Sequence, residues 1–143
     1  MARSSAPVVT ARDHNAAAEA KVPHLVLEYS ANLPDQPDFD ALLGRLHEAL
    51  SRSGVFDLEK IKSRVVPHPL FRVADGAADR AFVHLTAAVL EGREPEVLRA
   101  AGESLLAVLC EAFSRARRER RCDVTVELRE MQRPLYLKAK AAP

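Results

Sequence analysis

The feature that most constrains this chain is a strand–helix–strand pattern that occurs twice. His24 to Tyr29 alternates, with Leu25, Leu27 and Tyr29 on one face and Val26 on the other, as a half-buried strand does. A turn-rich loop from Ser30 to Pro37 follows. Asp38 is placed to cap a helix from Phe39 to Ser53, whose apolar positions Phe39, Leu42, Leu43, Leu46, Ala49 and Leu50 keep the helical period. Gly54 supplies a left-handed stop, and a second strand runs from Lys60 to Val66, ending at Pro67. After the turn at Asp75-Gly76 the plan repeats. Ala81 to Val89 is a strand, and the loop Leu90 to Arg93 leads to a helix with Pro95 at its first position, where a missing N–H costs nothing. Leu98, Ala101, Leu105, Val108, Leu109, Ala112 and Ala116 stripe that helix over about 20 residues. Asp123 to Glu130 alternates as the closing strand.

A strand, a helix and a second strand connect most readily by a right-handed crossover, which leaves the two strands parallel. Two such units predict a two-layer α/β (α+β) domain: a four-stranded mixed sheet with two helices on one face. The uncovered face then needs a partner. The first and third strands carry apolar residues on both sides, which implies an oligomer of the same chain.

Residues 1–22 lack any sustained period and are rich in Ala and Ser, so they read as a disordered extension ahead of a domain spanning residues 23–143. This segment has no apolar core of a secretory signal, and Asp13 and Glu19 argue against an organelle transit peptide. It contains three basic and two acidic residues, which leaves 18 of each sign in the remainder. A body so balanced has no bulk attraction for nucleic acid or anionic membranes. No apolar run approaches the roughly 20 residues that span a bilayer. Cys110 and Cys122 form neither a CxxC pair nor a disulfide framework. They fit a reducing, cytoplasmic setting, with Cys110 read as a small core residue.

More specific signals lie in an ordered set of short matches. They are Pro23-His24, Glu28, Ser30 with Asn32, Gly54-Val55-Phe56, Ile61 with Ser63-Arg64-Val65, Val73-Ala74-Asp75-Gly76, Ala81-Phe82-Val83-His84, Gly92-Arg93 and Ala101-Gly102-Glu103. In order and spacing these residues resemble the 5-carboxymethyl-2-hydroxymuconate isomerase family of the tautomerase superfamily, from residue 23 to about residue 138. Each match alone is weak, whereas the ordered set is specific.

The resemblance implies a cofactor-independent isomerase with a tautomerase-like fold, acting as a homotrimer on a ring-cleavage product of homoprotocatechuate, in 4-hydroxyphenylacetate breakdown. The family's catalytic base is an amino-terminal proline, which maps onto Pro23. A family arginine after the third strand maps onto Arg93. A second family arginine, in the second strand, falls on Lys62, which is a departure. Arg64, two residues on and therefore on the same face, is the other candidate for that carboxylate contact. No metal site is expected, because His47 and His68 have no companions at ligand spacing. His84 reads as a hydrogen-bonded core or interface residue, and Glu28 and Glu103 are as well explained by structural hydrogen bonds as by catalysis. The basic run Arg115 to Arg121 falls at the end of the long helix, where cations suit the dipole. It lacks the interleaved aromatics of a nucleic-acid surface.

One difficulty follows. Within the 143-residue chain the nitrogen of Pro23 is a tertiary amide with no basic lone pair. A chain starting at Pro23 removes the difficulty, with Val22 marking a GTG start codon and the initiator methionine then lost. Two alternatives stay open: a tautomerase acting on another oxo acid, and a non-catalytic oligomer whose proline is blocked by the extension.

Overall fold

A computed structural model describes residues 22–142, so the expectation of disorder over residues 1–22 lies, apart from Val22, outside the described residues. The elements in order are β1 (His24–Ser30), α1 (Phe39–Ser51), β2 (Lys62–His68), β3 (Arg80–Leu90), α2 (Pro95–Ala112), α3 (Ser114–Glu119) and β4 (Arg121–Met131). Short 3-10 turns at Leu58–Lys60 and Arg133–Leu135 complete the set. The strands form one four-stranded sheet in the order β2-β1-β3-β4. Within each unit the strands are parallel, and the units join antiparallel through β1 and β3. This is the predicted mixed sheet with both long helices on one face.

The core follows from the period-2 pattern of the central strands. Leu25 and Leu27 of β1 and Val83, Leu85, Ala87 and Val89 of β3 are fully buried against Leu42, Leu46 and Leu50 of α1 and Leu105 and Leu109 of α2. With no Trp in the chain, aliphatic packing carries this layer, joined by Phe113 and Phe56. Gly102 lets α2 approach β4 closely, since a Cβ there would lie 2.8 Å from Leu128 Cδ2. The opposite face carries His24, Val26, Glu28, Lys62, Arg64, His68, Phe82, His84, Thr125 and Glu127, and no helix among the described residues covers it.

Several boundaries differ from expectation, each for a local reason. Asp38 caps α1 as predicted, its Oδ1 accepting from the Ala41 N–H at 3.2 Å. The helix nonetheless ends at Ser51, where Ser53 Oγ donates to the Leu50 carbonyl and Gly54 turns the chain with φ +77°. Lys60 belongs to a 3-10 turn capped by Asp57, so β2 begins at Lys62. That strand also continues through Pro67 to His68. Its position at the sheet edge leaves no ladder bond for the proline to break. The second helix is two helices. Phe113, buried at φ −112° and ψ 34°, interrupts it, and the Asp35 carboxylate accepts from the N–H groups of Arg115 and Ala116. This capping by a distant loop opens α3.

The basic run accordingly does not close the long helix; Arg117 and Arg118 sit in the last turn of α3 instead. Arg115 pairs with Glu119 and Arg121 with Asp79. Cys110 is half-buried off the core stripe; Cys122, on the helix-facing side of β4, packs against the core instead. No helix among the described residues is long and apolar enough to cross a membrane.

Candidate active site at one end of the sheet

The antiparallel junction sets the start of β1 beside the end of β3, with His24 opposite Ala88. The parallel junction sets it beside the start of β2, with His24 opposite Lys62. Chain topology therefore gathers Pro23, Lys62, Arg64 and the Arg93 loop at a single end of the sheet, though they stand far apart in sequence.

Pro23 is fully buried, and its carbonyl accepts from the Lys62 N–H at 3.1 Å. Val22 before it is also buried. Lys62 and Arg64 project from the helix-free face of the edge strand and are exposed. Neither forms an ion pair among the described residues; Lys62 Nζ leans back to the Lys60 carbonyl at 3.4 Å. Two cations two residues apart with no carboxylate to neutralise them make a local positive field at the mouth of the site.

Arg93 is half-buried beyond the end of β3. Its guanidinium carbon sits 4.5 Å from the centroid of the Phe56 ring, and Nη1 donates to the Leu90 carbonyl at 3.2 Å. Burial lowers its pKa from the usual arginine value, but a guanidinium titrates so high that the charge persists. Stacking on a buried ring removes rotamer freedom, so this cation is pre-oriented. Gly92, at φ +124°, makes the turn that delivers it.

Tyr136, which no sequence pattern singled out, completes this end beside His24. The segment after β4 folds back through the 3-10 turn at Arg133–Leu135, anchored where Glu91 accepts from the Arg133 N–H at 2.8 Å and the Glu91 carbonyl accepts from Arg133 Nη2 at 2.6 Å. The fold-back places Tyr136 Oη 3.0 Å from Nε2 of His24. His24 titrates below the usual histidine range because burial disfavours its charged form, with the charges of Arg64 and Lys62 adding to the effect. The signal for Tyr136 was an aromatic residue between Leu135 and Leu137 in a short tail without a period, too weak to place it against the first strand.

The remaining candidates resolve into structural contacts. Glu28 accepts from His68 Nε2 at 2.9 Å, and Glu103 pairs with Arg99 one turn away. His84 lies on the helix-free face, its Nδ1 2.7 Å from Thr125 Oγ1, so it is a hydrogen-bonded sheet residue outside the core. His47 Nε2 lies 2.6 Å from Ser63 Oγ. Ser30 Oγ accepts from the Phe82 N–H at 3.0 Å, and Asn32 Nδ2 donates to the Arg80 carbonyl at 2.8 Å, so this matching pair ties the first loop to β3. Burial, then the charges of Asp123 and Asp35, pushes the Cys122 thiol up to about 11, which leaves it a poor nucleophile.

The two-unit four-stranded sheet, with no helix among the described residues on one face, is the tautomerase fold. A fused 4-OT described as a symmetric trimer superposes with a TM-score of 0.61 over 76% of this chain and 85% of its own, at 18% identity, a likeness of fold. The particular branch is sharper. The family model for 5-carboxymethyl-2-hydroxymuconate isomerase matches residues 23–142, and the chain belongs to this family of isomerases. It is 31% identical over 117 residues to the 5-carboxymethyl-2-hydroxymuconate Delta-isomerase of Escherichia coli, covering 82% of this chain and 93% of that protein. The crystal structure of a 5-carboxymethyl-2-hydroxymuconate isomerase from Deinococcus radiodurans R1 superposes with a TM-score of 0.77 at 31% identity, over 85% of this chain and 92% of the other.

Proposed function

We propose that this chain moves a proton within 5-carboxymethyl-2-hydroxymuconate, as a Delta-isomerase of 4-hydroxyphenylacetate (homoprotocatechuate) catabolism, using Pro23 as the base in a form that begins at that residue. The observation that carries the reading is the gathering of Pro23 with three cations, Lys62, Arg64 and Arg93, at one end of the sheet. A substrate bearing several carboxylates needs such cations for binding and a base close by for chemistry.

A free proline nitrogen starts near the ~8 of an α-amino group. Burial and neighbouring cations both disfavour its protonated form, which brings the pKa toward neutrality. The neutral amine removes the hydroxyl proton of the conjugated dienol. Electrons move onto the substrate oxygens as a dienolate, and the resulting prolinium returns the same proton to a carbon further along. No atom is gained or lost, and no cofactor enters. Arg93, fixed on Phe56, holds a carboxylate or the growing enolate charge through paired N–H donors. Lys62 and Arg64 hold a second carboxylate.

The uncovered sheet face supports a homotrimer in which neighbouring copies close the site, and free Cys110 and Cys122 support a cytoplasmic setting. The family match beginning at residue 23 supports a functional start there, with residues 1–22 outside the working domain.

The test follows the ultraviolet band of the conjugated dienol with two proteins, the 143-residue chain and a form starting at Pro23. Turnover by the shorter form alone is the expected result. Equal turnover by both removes Pro23 as the base. Intact mass of the protein from its native host then shows which form the cell makes. A second reading, another unsaturated oxo acid as substrate, is favoured by Lys62, a point charge leaning away to its own backbone where the family has an arginine fork. Turnover of such an acid in preference to the muconate selects it. Silence of both forms on every such acid selects a non-catalytic oligomer.

A further inference from the structure

Beside the proposed base sits a hydrogen-bonded pair to which the mechanism above assigns no part. His24 follows Pro23 directly, lies opposite Lys62 in the strand register, and shares the helix-free face with Lys62 and Arg64. Its Nε2 is engaged by the Tyr136 hydroxyl at 3.0 Å, and the two rings meet at a centroid distance of 6.1 Å, tilted by 59°. The other ring nitrogen, Nδ1, has no hydrogen-bond partner among the described residues and is not fully enclosed.

We propose that His24 is a further substrate-binding residue, donating from Nδ1–H to a carboxylate held by Lys62 and Arg64, and that Tyr136 is the positioning residue that fixes its ring and tautomer. This deepens the reading of the same site and rests on it for the identity of the anion.

The argument is one of proton counting. Partial burial, and after it the uncompensated charges of Arg64 and Lys62 on β2, lower the pKa of the ring, so the imidazole is neutral near pH 7. A neutral imidazole has one donor and one acceptor nitrogen. In the proposed arrangement the phenol donates to Nε2, which leaves the proton on Nδ1, where a donor can serve an anion. With the hydroxyl absent, both tautomers become accessible and the ring is free to turn. Tyr136 is well placed for such a task. The proline in its 3-10 turn and the two Glu91–Arg133 hydrogen bonds hold it to the loop that presents Arg93. The arrangement thus spans both cationic walls of the site: β2 through His24, and the β3–α2 loop through Arg133 and Glu91.

The test uses the 143-residue chain with 15N-labelled histidine, in which no turnover is expected, so isomerase activity is not a readout; a form starting at Pro23 that fails to turn over the muconate would count against the reading above alone. Long-range 1H–15N spectra report the tautomer of each ring. His24 is expected with Nε2 unprotonated and Nδ1 protonated, and Y136F is expected to give a tautomer mixture. cis,cis-Muconate, an unsaturated dicarboxylate, is then titrated into each protein. It should shift His24 Nδ1 in the parent, bind about tenfold more weakly to Y136F and to H24F, and no more weakly still to the double variant. H24N, whose amide reproduces the Nδ1–H donor, should restore most of the affinity. A His24 protonated on Nε2, a tautomer indifferent to Y136F, or losses that add in the double variant would each overturn the proposal. So would binding of muconate that leaves Nδ1 unmoved, or an absence of binding.

Discussion

The two strand–helix–strand units place cations at corresponding starts of their strand pairs, yet the two ends have opposite electrostatic fates. At the start of β3 and β4, Arg80 lies opposite Arg121, and each has a carboxylate. Asp75 accepts from Arg80 Nε at 2.7 Å, and Asp79 takes both Nε and Nη2 of Arg121 at 2.8 and 2.7 Å. These hydrogen bonds hold Asp75 down at about 2, with Asp79 also below the usual carboxylate range. At the start of β1 and β2, His24 lies opposite Lys62, and neither Lys62 nor Arg64 meets a carboxylate among the described residues. Charge that one unit spends on closing a turn is left open in the other. A basic residue marks a binding site only where the fold withholds its counter-ion, and that cannot be read from the residue type.

The largest break in this comparison should come at the pre-oriented cation. R93A in the form starting at Pro23 is expected to lower kcat/KM by about 10²–10³-fold, as loss of a charge-stabilising donor does, with the melting temperature as the control for folding. Next come the open cations. K62A and R64A should each raise KM by about tenfold with little change in kcat, as loss of uniform carboxylate binding does. R121A, at the closed end, should leave KM within about twofold, because an exposed ion pair away from the substrate contributes little. A rise in KM for R121A equal to that for K62A would remove the distinction between the two ends.

Where the units share one core the comparison should vanish. L46A in the first unit and L105A in the second each empty a fully buried site, so urea melts should show losses of about 2–5 kcal/mol for both. The smallest effect concerns pH. Folding lowers the pKa of His24, chiefly through burial and then through Arg64 and Lys62, and that of His47 through burial. The unfolded chain therefore binds more protons, and stability should fall as pH drops below about 6.5 toward the folded-state values. A flat urea midpoint across that window in the parent, or an unchanged slope in H47N, would contradict it.

The architecture was legible because it is written in local periods. Alternation in residues 24–29 and 81–89 and the 3.6-residue stripes of both helices predict the elements, and right-handed crossovers leave few ways to assemble them. The boundaries that moved did so through contacts with distant residues. Asp35 caps a helix more than 75 positions away, and the edge location of β2 tolerates Pro67 inside a strand. Pro23, Arg93, Lys62 and Arg64 are proposed on an ordered resemblance, since nothing in their own neighbourhoods distinguishes the three cations from surface charges. Tyr136 was missed because its partner His24 is 112 positions distant.

By itself the sequence determined the two units, the faces that must be buried and the residue types available for handling carboxylates, all of which are matters of local period and side-chain chemistry. The tertiary structure alone decided which cations keep a counter-ion, which one stacks on Phe56, and that the C-terminal turn returns to the first strand. Those outcomes depend on distances through space between segments remote along the chain. Electrostatic and hydrogen-bond energies fall off over a few ångströms, and no linear pattern encodes them.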